Sequence, residues 1–276
     1  MKNWIRFATL LLCVLYVNIA LLGQTHAVGA WLGMSSYNGD LTEKALNFQE
    51  IHPGGGLFAQ LEVNEIVSAR FAFSLGKLSG SDAHSTDPNK IKRNLSFESS
   101  LFEGNFILVV EPLGNERTIS PYLFGGWAIF RFNPKTTYQG QLVELQPLGT
   151  EGQNLAPTVP RKYQLTELAL PLGVGVKYRT NFNVDFGLEM GYRFALTDYI
   201  DDVSRQYFDR DLIFQEYGEL ALALADRSVE LGEEPFPAGA ERGNSEVNDG
   251  YWLAGITVGY RLFGGSRKVK YDCVEW

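Results

Sequence analysis

Cysteine and histidine are scarce in this chain, with 2 Cys and 3 His among 276 residues. The shortage excludes a disulfide-stapled small protein and a zinc module built from Cys and His, because both need several such side chains. Basic residues are outnumbered as well, since 24 Lys and Arg stand against 32 Asp and Glu for a net charge of -8. That balance argues against a nucleic-acid-binding protein. Glycine (29) and aromatic residues (18 Phe, 13 Tyr and 5 Trp) are abundant instead.

A long apolar run occurs at the N-terminus. Two basic residues precede a nearly continuous apolar stretch at 7–22, and Ala27 offers a small side chain at a cleavage point. This order is typical of a secretory signal peptide, predicted here as residues 1–27, although an uncleaved anchor helix would have a similar composition. Without that segment the net charge becomes -10 and Cys273 is the one remaining cysteine, which excludes an intramolecular disulfide.

Alternation of apolar and polar residues dominates the second half of the chain. Within 184–194 every other residue is apolar, and the residues between them are Asp, Gly, Glu and Arg; 167–178 and 252–262 repeat the pattern. Beyond the N-terminal run, no segment approaches the roughly 18 apolar residues of a membrane-spanning helix. The alternating runs match the roughly 9 to 11 residues with which a tilted strand crosses a bilayer.

Five less regular segments show the same spacing and bring the expected strand count to eight. They are 28–37, 54–63, 66–78, 97–110 and 120–132. An even number of strands, with a glycine-rich polar face opposite an aliphatic and aromatic face, is the signature of an outer-membrane barrel. We predict an all-β fold, an eight-stranded antiparallel transmembrane β-barrel over residues 28–263. A soluble sandwich or lipocalin-like barrel is the competing interpretation, but its apolar face would point inward.

The connections between the expected strands alternate in length. The short ones are 64–65, 111–119 and 179–182, and the long ones are the expected outer loops 38–53, 79–96, 133–162 and 197–250. Outer-membrane barrels place short turns in the periplasm and long loops outside. The alternation predicts an outer-membrane location in contact with lipid, with both termini in the periplasm.

The interior of such a barrel has room only for side chains, so we expect it to be filled and not to conduct solutes. Five acids and five bases are expected to point inward: Glu62, Glu103, Glu167, Asp185, Glu189, Arg70, Arg131, Lys177, Arg193 and Arg261. Buried charges are tolerated when they are paired, which predicts a stabilising network of salt bridges. A catalytic or proton-relay role of the carboxylates is the alternative.

The expected loop 197–250 carries fourteen acids against four arginines. Asp198, Asp201 and Asp202 are weak candidates for a calcium site, but they lack the spacing of an EF-hand. We therefore expect no metal and no cofactor, and interpret the loop as a solvated acidic surface. Apolar residues near helical spacing at 212–224 predict a short amphipathic helix over the barrel mouth, acting either as a lid or as a docking face.

Catalysis would have to rely on one of very few histidines. Some small outer-membrane barrels are lipid-modifying enzymes or proteases, and a base here would be His52 or His84, the latter beside Ser81, Asp82 and Ser85. Neighbours along a loop do not make a preorganised site. We predict that the protein is not an enzyme, and a barrel enzyme using His84 is the less favoured alternative.

Seven short motifs run through the chain after its first strands. They are RNLSF at 93–97, PYLFGG at 121–126, FNPK at 132–135, YQG at 138–140, LQPLGTEG at 145–152, GYR at 191–193 and TDYIDDVS at 197–204. Together they resemble the PorG-type outer-membrane barrels of Bacteroidota, over essentially the whole mature chain. The resemblance implies a component of the type IX secretion machinery that contacts the periplasmic ring of PorK and PorN.

Residues 264–276 continue beyond the last expected strand as a periplasmic tail. Arg267, Lys268, Lys270 and Trp276 are candidates for binding the ring, with the tryptophan as an aromatic anchor. A disordered tail is the alternative. The rival function is a surface-exposed structural or ligand-binding barrel that acts through its acidic outer loop.

Overall fold

The computed structural model describes residues 26–42, 48–115, 117–155, 159 and 161–262. These residues form ten strands: β1 His26–Asn38, β2 Ile51–Glu62, β3 Val67–Ser81, β4 Ser96–Val110, β5 Ile119–Arg131, β6 Lys135–Tyr138, β7 Gln141–Glu144, β8 Thr166–Arg179, β9 Val184–Ala195 and β10 Gly250–Arg261. Two α-helices accompany them, α1 Pro88–Arg93 and α2 Arg210–Ala225. Within the described ranges, neither helix has the length and apolar character that a membrane crossing requires.

Eight of the strands close into a barrel. Each strand pairs antiparallel with its neighbours in the order β1-β2-β3-β4-β5-β8-β9-β10, and β10 pairs back onto β1 from Ala27↔Arg261 to Asn38↔Gly250. Strands β6 and β7 form a hairpin outside this wall. The predicted fold class, an all-β eight-stranded antiparallel barrel with long loops at one end, is confirmed.

The wall carries large apolar side chains on its outer face all the way round. One example from each wall strand, with 48% to 74% of its surface exposed, is Leu32, Leu57, Phe73, Phe102, Trp127, Leu172, Leu188 and Ile256. The inner face holds charged, aromatic and glycine residues. Apolar outside and polar inside is the outer-membrane type of barrel and the reverse of a lipocalin-like one.

The connections separate the two ends of the barrel. Short turns 63–66, 111–118 and 180–183 lie at one end, and long segments 39–50, 82–95, 132–165 and 196–249 lie at the other. Strand ends differ slightly from expectation, since β1 begins at His26 and β3 continues to Ser81. Residues 1–25 of the predicted signal segment 1–27, and the predicted tail 264–276, lie outside the described residues.

Candidate functional site in the barrel interior and outer plug

A first buried ion pair crosses the middle of the barrel. Arg70 on β3 donates from Nη1 to Glu189 Oε2 on β9 at 2.7 Å and from Nε to Gln60 Oε1 at 3.1 Å. The Tyr122 hydroxyl donates to the same Glu189 oxygen at 2.8 Å, and the Arg70 guanidinium lies 4.9 Å from the Phe58 ring centroid. Both charges are therefore hydrogen-bonded as well as paired, the condition under which burial of an ion pair is tolerated.

A second pair lies nearer the outer end of the barrel. Arg193 Nε is 3.3 Å from Glu103 Oε2, and the Glu103 side chain is fully buried. Tyr251 donates its hydroxyl to Glu103 Oε2 at 2.7 Å, and Asn105 donates from Nδ2 to Oε1 at 2.7 Å. Three wall strands, β4, β9 and β10, therefore contribute side chains that contact the Glu103 carboxylate.

A third cluster closes the end that carries the short turns. Lys177 Nζ lies 2.7 Å from Glu111 Oε1, and Arg179 Nη2 lies 2.8 Å from Glu111 Oε2. Arg179 Nε is also 3.9 Å from Asp185 Oδ2, while Arg261 Nε is 3.3 Å from Asp185 Oδ1. Two carboxylates and three bases therefore form a continuous network across the short-turn end.

Seven of the ten side chains predicted for the interior take part in these contacts: Glu103, Asp185, Glu189, Arg70, Lys177, Arg193 and Arg261. Glu62 instead receives a hydrogen bond from Asn115 Nδ2 in the second short turn, at 2.9 Å. Glu167 is half-buried opposite Phe130 on the neighbouring strand. Glu167 joins none of the ion pairs found among the described residues.

Two members of the network, Glu111 and Arg179, were missed because each was assigned to a short turn. Glu111 follows directly after β4 and continues its inward parity through Glu103 and Val109. Arg179 is the last residue of β8, two positions after inward-facing Lys177. Extending each strand by a residue or two would have predicted both.

Arg131 was wrongly predicted to point inward. On β5 the side chains of Phe124 and Phe130 are buried, and Arg131, with the opposite parity, is exposed on the outer face. The aromatic residues of this strand fill the interior, so the charged one is turned outward at the outer end, where the wall leaves the apolar belt.

This correction predicts that Arg131→Gln leaves the barrel intact. An exposed side chain without a buried partner should change the free energy of unfolding by no more than about 0.5 kcal/mol. Urea titration of the refolded barrel in detergent micelles would measure the difference. A loss of several kcal/mol would contradict the outward placement.

Above the ion pairs, an aromatic column fills the barrel and continues into the loops. Phe130 and Phe132 stack with centroids 5.4 Å apart, Phe132 lies 6.2 Å from Tyr163, and Tyr163 lies 4.8 Å from Tyr199. Lower in the barrel, an interior space of about 20 Å³ remains beside Arg70. That volume holds about one water molecule, so the described interior offers no aqueous channel.

The long loops form a plug over the outer end, organised around Arg242. Its side chain is 2% exposed, and Nη1 donates to Glu151 Oε1 at 2.9 Å and to the Asp202 backbone oxygen at 2.7 Å. Nη2 lies 3.7 Å from Asp202 Oδ2, and Nε donates to the Ala225 backbone oxygen at 3.2 Å. A single arginine therefore joins the 132–165 segment to three parts of the 196–249 segment.

The acidic loop is only partly a solvated surface. Of its fourteen acids, nine are exposed and five are buried, the latter being Asp198, Asp201, Asp202, Asp226 and Asp249. Because burial penalises the charged form, it raises the pKa of Asp202 to about 6 despite the nearby Arg242. The interpretation as a solvated acidic surface is wrong for these five.

The three weak metal candidates do not converge on one point. Asp201 accepts a hydrogen bond from the Tyr37 hydroxyl at 2.7 Å, whereas Asp202 accepts from Thr150 at 2.6 Å and from Tyr163 at 2.7 Å. Asp198 is buried beside them without sharing those partners. Among the described residues, no group of three or more His, Cys, Asp or Glu side chains is placed to hold a metal ion.

The histidines lie at the outer rim between β2 and β3. His84 Nδ1 is 2.9 Å from Glu50 Oε1, Ser79 donates to the other oxygen of Glu50, and His52 Nε2 is 2.6 Å from Ser79 Oγ. Asp82, suggested as a partner of His84, is instead held by Arg93. Ser81, Asp82, His84 and Ser85 line one small space at this rim, but Asp82 is paired with Arg93, and it is the Ser79 hydroxyl that donates to Glu50.

Helix α2 lies over the plug, as the spacing at 212–224 predicted. Asp209 caps its N-terminus by accepting from two backbone N–H groups, and Ile213 and Leu224 are buried beneath it. At Gly218 the backbone has a φ of 85°, which interrupts the helix between its first and second halves. Phe214 is 53% exposed, contrary to the single apolar face that was expected.

Comparison with known families adds one decisive match. A model of a domain of unknown function, DUF6089, matches residues 5–220. The chain belongs to the DUF6089 family. The matched part of this DUF6089 chain contains strands β1 to β9 and most of α2, and the last wall strand, β10, lies beyond it. No curated protein sequence matches the chain.

Solved structures similar to the DUF6089 chain are bacterial barrels. Neisserial surface protein A is 11% identical with a TM-score of 0.43, covering 86% of this chain and 97% of that one. OprG of Pseudomonas aeruginosa is 10% identical with a TM-score of 0.43, covering 87% and 97%. Ail, the attachment invasion locus protein of Yersinia pestis, is 12% identical with a TM-score of 0.40, covering 87% and 99%. The likeness is one of fold.

Proposed function

We propose that this DUF6089 chain is a non-enzymatic outer-membrane barrel that serves as a scaffold or attachment component of a type IX protein-secretion machine. The observation that carries the proposal is a filled barrel with an apolar belt outside and a fixed surface at the short-turn end. A belt of exposed Leu, Ile, Phe and Trp requires lipid around it. A filled interior removes conduction as its task, which leaves attachment.

The short-turn end has the properties of a binding surface. Its turns are tied to one another, because Glu111 N donates to Ile66 O at 2.7 Å and Asn115 N donates to Glu65 O at 2.7 Å. Four apolar side chains are nevertheless exposed on this ordered surface: Phe182 is 85% exposed, Val63 54%, Leu113 50% and Ile66 47%. Exposed apolar groups on an ordered surface favour contact with another protein.

The partner suggested by the PorG resemblance is a periplasmic ring of PorK and PorN type. In the orientation expected from loop lengths, the short turns and the tail 264–276 share the periplasmic side. The candidate tail residues Arg267, Lys268, Lys270 and Trp276 follow directly from the last wall strand, and they lie outside the described residues. Turns and tail together are the proposed attachment surface.

Photo-crosslinking in cells tests this function. A photoreactive residue replacing Phe182 or Leu113 should couple to a periplasmic ring protein, because both positions lie on the proposed attachment surface. The matched controls are Leu188, 65% exposed on the lipid face, and Leu231, 53% exposed in the outer loop. Deletion of 264–276 should also stop secretion while leaving the barrel in the membrane.

Crosslinks that form only from Leu231 would overturn the secretion proposal. They would favour the rival function, a surface barrel that binds a ligand through its outer loop, which carries nine exposed acids. Normal secretion after tail deletion, together with unlabelled turns, would likewise exclude attachment at the periplasmic side.

A further inference from the structure

Three buried oxygen-bearing groups meet where the outer loop rejoins the barrel. The Tyr37 hydroxyl, at the outer end of β1, lies 2.7 Å from Asp201 Oδ2 and 2.7 Å from Asp249 Oδ1. Tyr37 is fully buried, and the two aspartates are each 1% exposed. Asp201 belongs to the start of the 196–249 segment and Asp249 to its end, so both ends of the loop are held at one hydroxyl.

The number of protons in this arrangement can be counted. A phenol carries one proton and can donate it to only one of the two carboxylates. The remaining oxygens are already occupied as acceptors, since Val203 N donates to Asp201 Oδ1 at 2.9 Å and Ile200 N donates to Asp249 Oδ2 at 2.8 Å. The second short contact to Tyr37 therefore requires a proton on one carboxyl group, as in other buried carboxyl pairs.

Among the described residues, no positively charged side chain is paired with these carboxylates in place of that proton. Arg93 on α1 attracts Asp201, but its donors go to Asp82 and to the backbone oxygens of Asp40 and Arg242. Arg242 is committed to Glu151 and Asp202 in the same way. Neither Asp201 nor Asp249 takes part in an ion pair among the described residues.

Other groups facing the cluster are acidic or neutral. Asp198 and Asp40 raise the energy of a charge on Asp201 or Asp249, and Tyr192 faces Asp249 from β9. Burial, followed by this repulsion, raises the pKa of Asp201 to about 8 and the pKa of Asp249 well above its usual range. Burial also raises the pKa of Asp198 to about 8.

We propose that the outer plug is closed by a proton-dependent latch, in which one proton shared by Asp201, Tyr37 and Asp249 holds the 196–249 loop on the barrel mouth. Loss of this proton leaves two buried carboxylates against one hydroxyl. Their repulsion and their need for hydration then favour the undocked loop. The latch is independent of any secretion role.

The direction of the pH dependence follows from proton binding. In the undocked loop the carboxyl groups are hydrated and ionise near their usual value of 3.8, whereas burial in the docked loop raises the pKa of Asp201 to about 8 and the pKa of Asp249 well above its usual value. Between these values the docked state binds more protons, so docking weakens as pH rises. Each proton released makes undocking about tenfold more favourable per pH unit, and the effect levels off above about pH 8.

Limited proteolysis of the full chain in detergent micelles measures the undocked population. Proteinase K, normalised against an unfolded substrate at each pH, should cut within 205–241 at a rate that rises at least about tenfold per pH unit from pH 6 to 8. Asp249→Asn keeps the size of the side chain and removes one of the two carboxyl groups that share the proton, so the rise should become shallower by about tenfold per pH unit. Glu246→Gln, which alters a neighbouring exposed acid, should retain it.

A wild-type cleavage rate that stays constant from pH 6 to 9 would overturn the proposal. So would an Asp249→Asn chain with the wild-type rise. Barrel integrity is checked by the heat-dependent shift in gel mobility, and if Asp249→Asn fails to fold, Asp201→Asn tests the same proton from the other carboxyl group.

Discussion

Replacing Glu111 with Gln should lower the free energy of unfolding of the barrel by about 3 to 5 kcal/mol. The carboxylate is the shared partner of Lys177 and Arg179, whose side chains are only 9% and 2% exposed. Without it, two buried cations face each other, and Asp185 lies 3.9 Å from Arg179 as the remaining acid. Urea titration of the refolded barrel in micelles would measure the loss.

A solvent-exposed ion pair provides the matched control. Glu144 lies 2.8 Å from Lys135 on the outer hairpin, a contact as short as those of Glu111, but the two side chains are 49% and 33% exposed. Glu144→Gln should therefore cost less than about 1 kcal/mol. Equal losses for the two variants would show that burial does not decide the strength of the inner network.

The same carboxylate predicts how the barrel responds to acid. Burial raises the pKa of Glu111, but Lys177 and Arg179 outweigh burial and hold that pKa below its usual 4.5. The stabilising effect is therefore present at neutral pH and is lost as pH falls below about 4.5. Wild-type and Glu111→Gln barrels should consequently differ less in stability at pH 3 than at pH 7.

Replacing Arg242 with Met should open the outer plug without unfolding the wall. The change leaves Glu151 and Asp202, 3% and 1% exposed, without their cation, a situation that costs about 3 to 5 kcal/mol. The strand ladder does not depend on this arginine. Proteinase K at pH 6 should therefore cleave the 196–249 loop at least about a hundredfold faster, since about 1.4 kcal/mol corresponds to a factor of ten.

Arg205 is a control on the same loop. Its side chain is exposed, and its backbone N–H rather than its guanidinium bonds to Glu151, at 3.1 Å. Arg205→Met should leave the cleavage rate at its wild-type value. If Arg242→Met also leaves the rate unchanged, the plug is held by other contacts and Arg242 is not its centre.

The wall of this barrel could be predicted from sequence because its cause is local. Lipid outside the barrel selects apolar side chains, and the packed interior selects polar or small ones at the positions between them. The twelve residues of β9 therefore show which side chains face lipid and which face the interior. Lys177, Arg193 and Asp185 followed from the same parity and are found in interior contacts. Position in the strand was sufficient for all three.

The failures arise where that cause is absent. At the outer end of β5 the surroundings of the outer face change from lipid to water, so Arg131 is stable with its side chain pointing outward. The alternation along β5 was therefore a better guide to the direction of this side chain than its charge. In the outer loop no period marks which acids are buried. The burial of Asp201 depends on Tyr37, 164 positions away, and such a contact is visible only once the barrel is closed.

The position of Tyr37 also sets an order of events during insertion into the membrane. Tyr37 lies on the first wall strand and Asp249 directly precedes the last, and these strands become neighbours only through the pairing that joins the two ends of the chain. On a partly inserted chain, the loop consequently lacks part of the surface on which it docks. Its docking comes after the final strand is in place, so resistance of the loop to protease distinguishes finished barrels from unfinished ones.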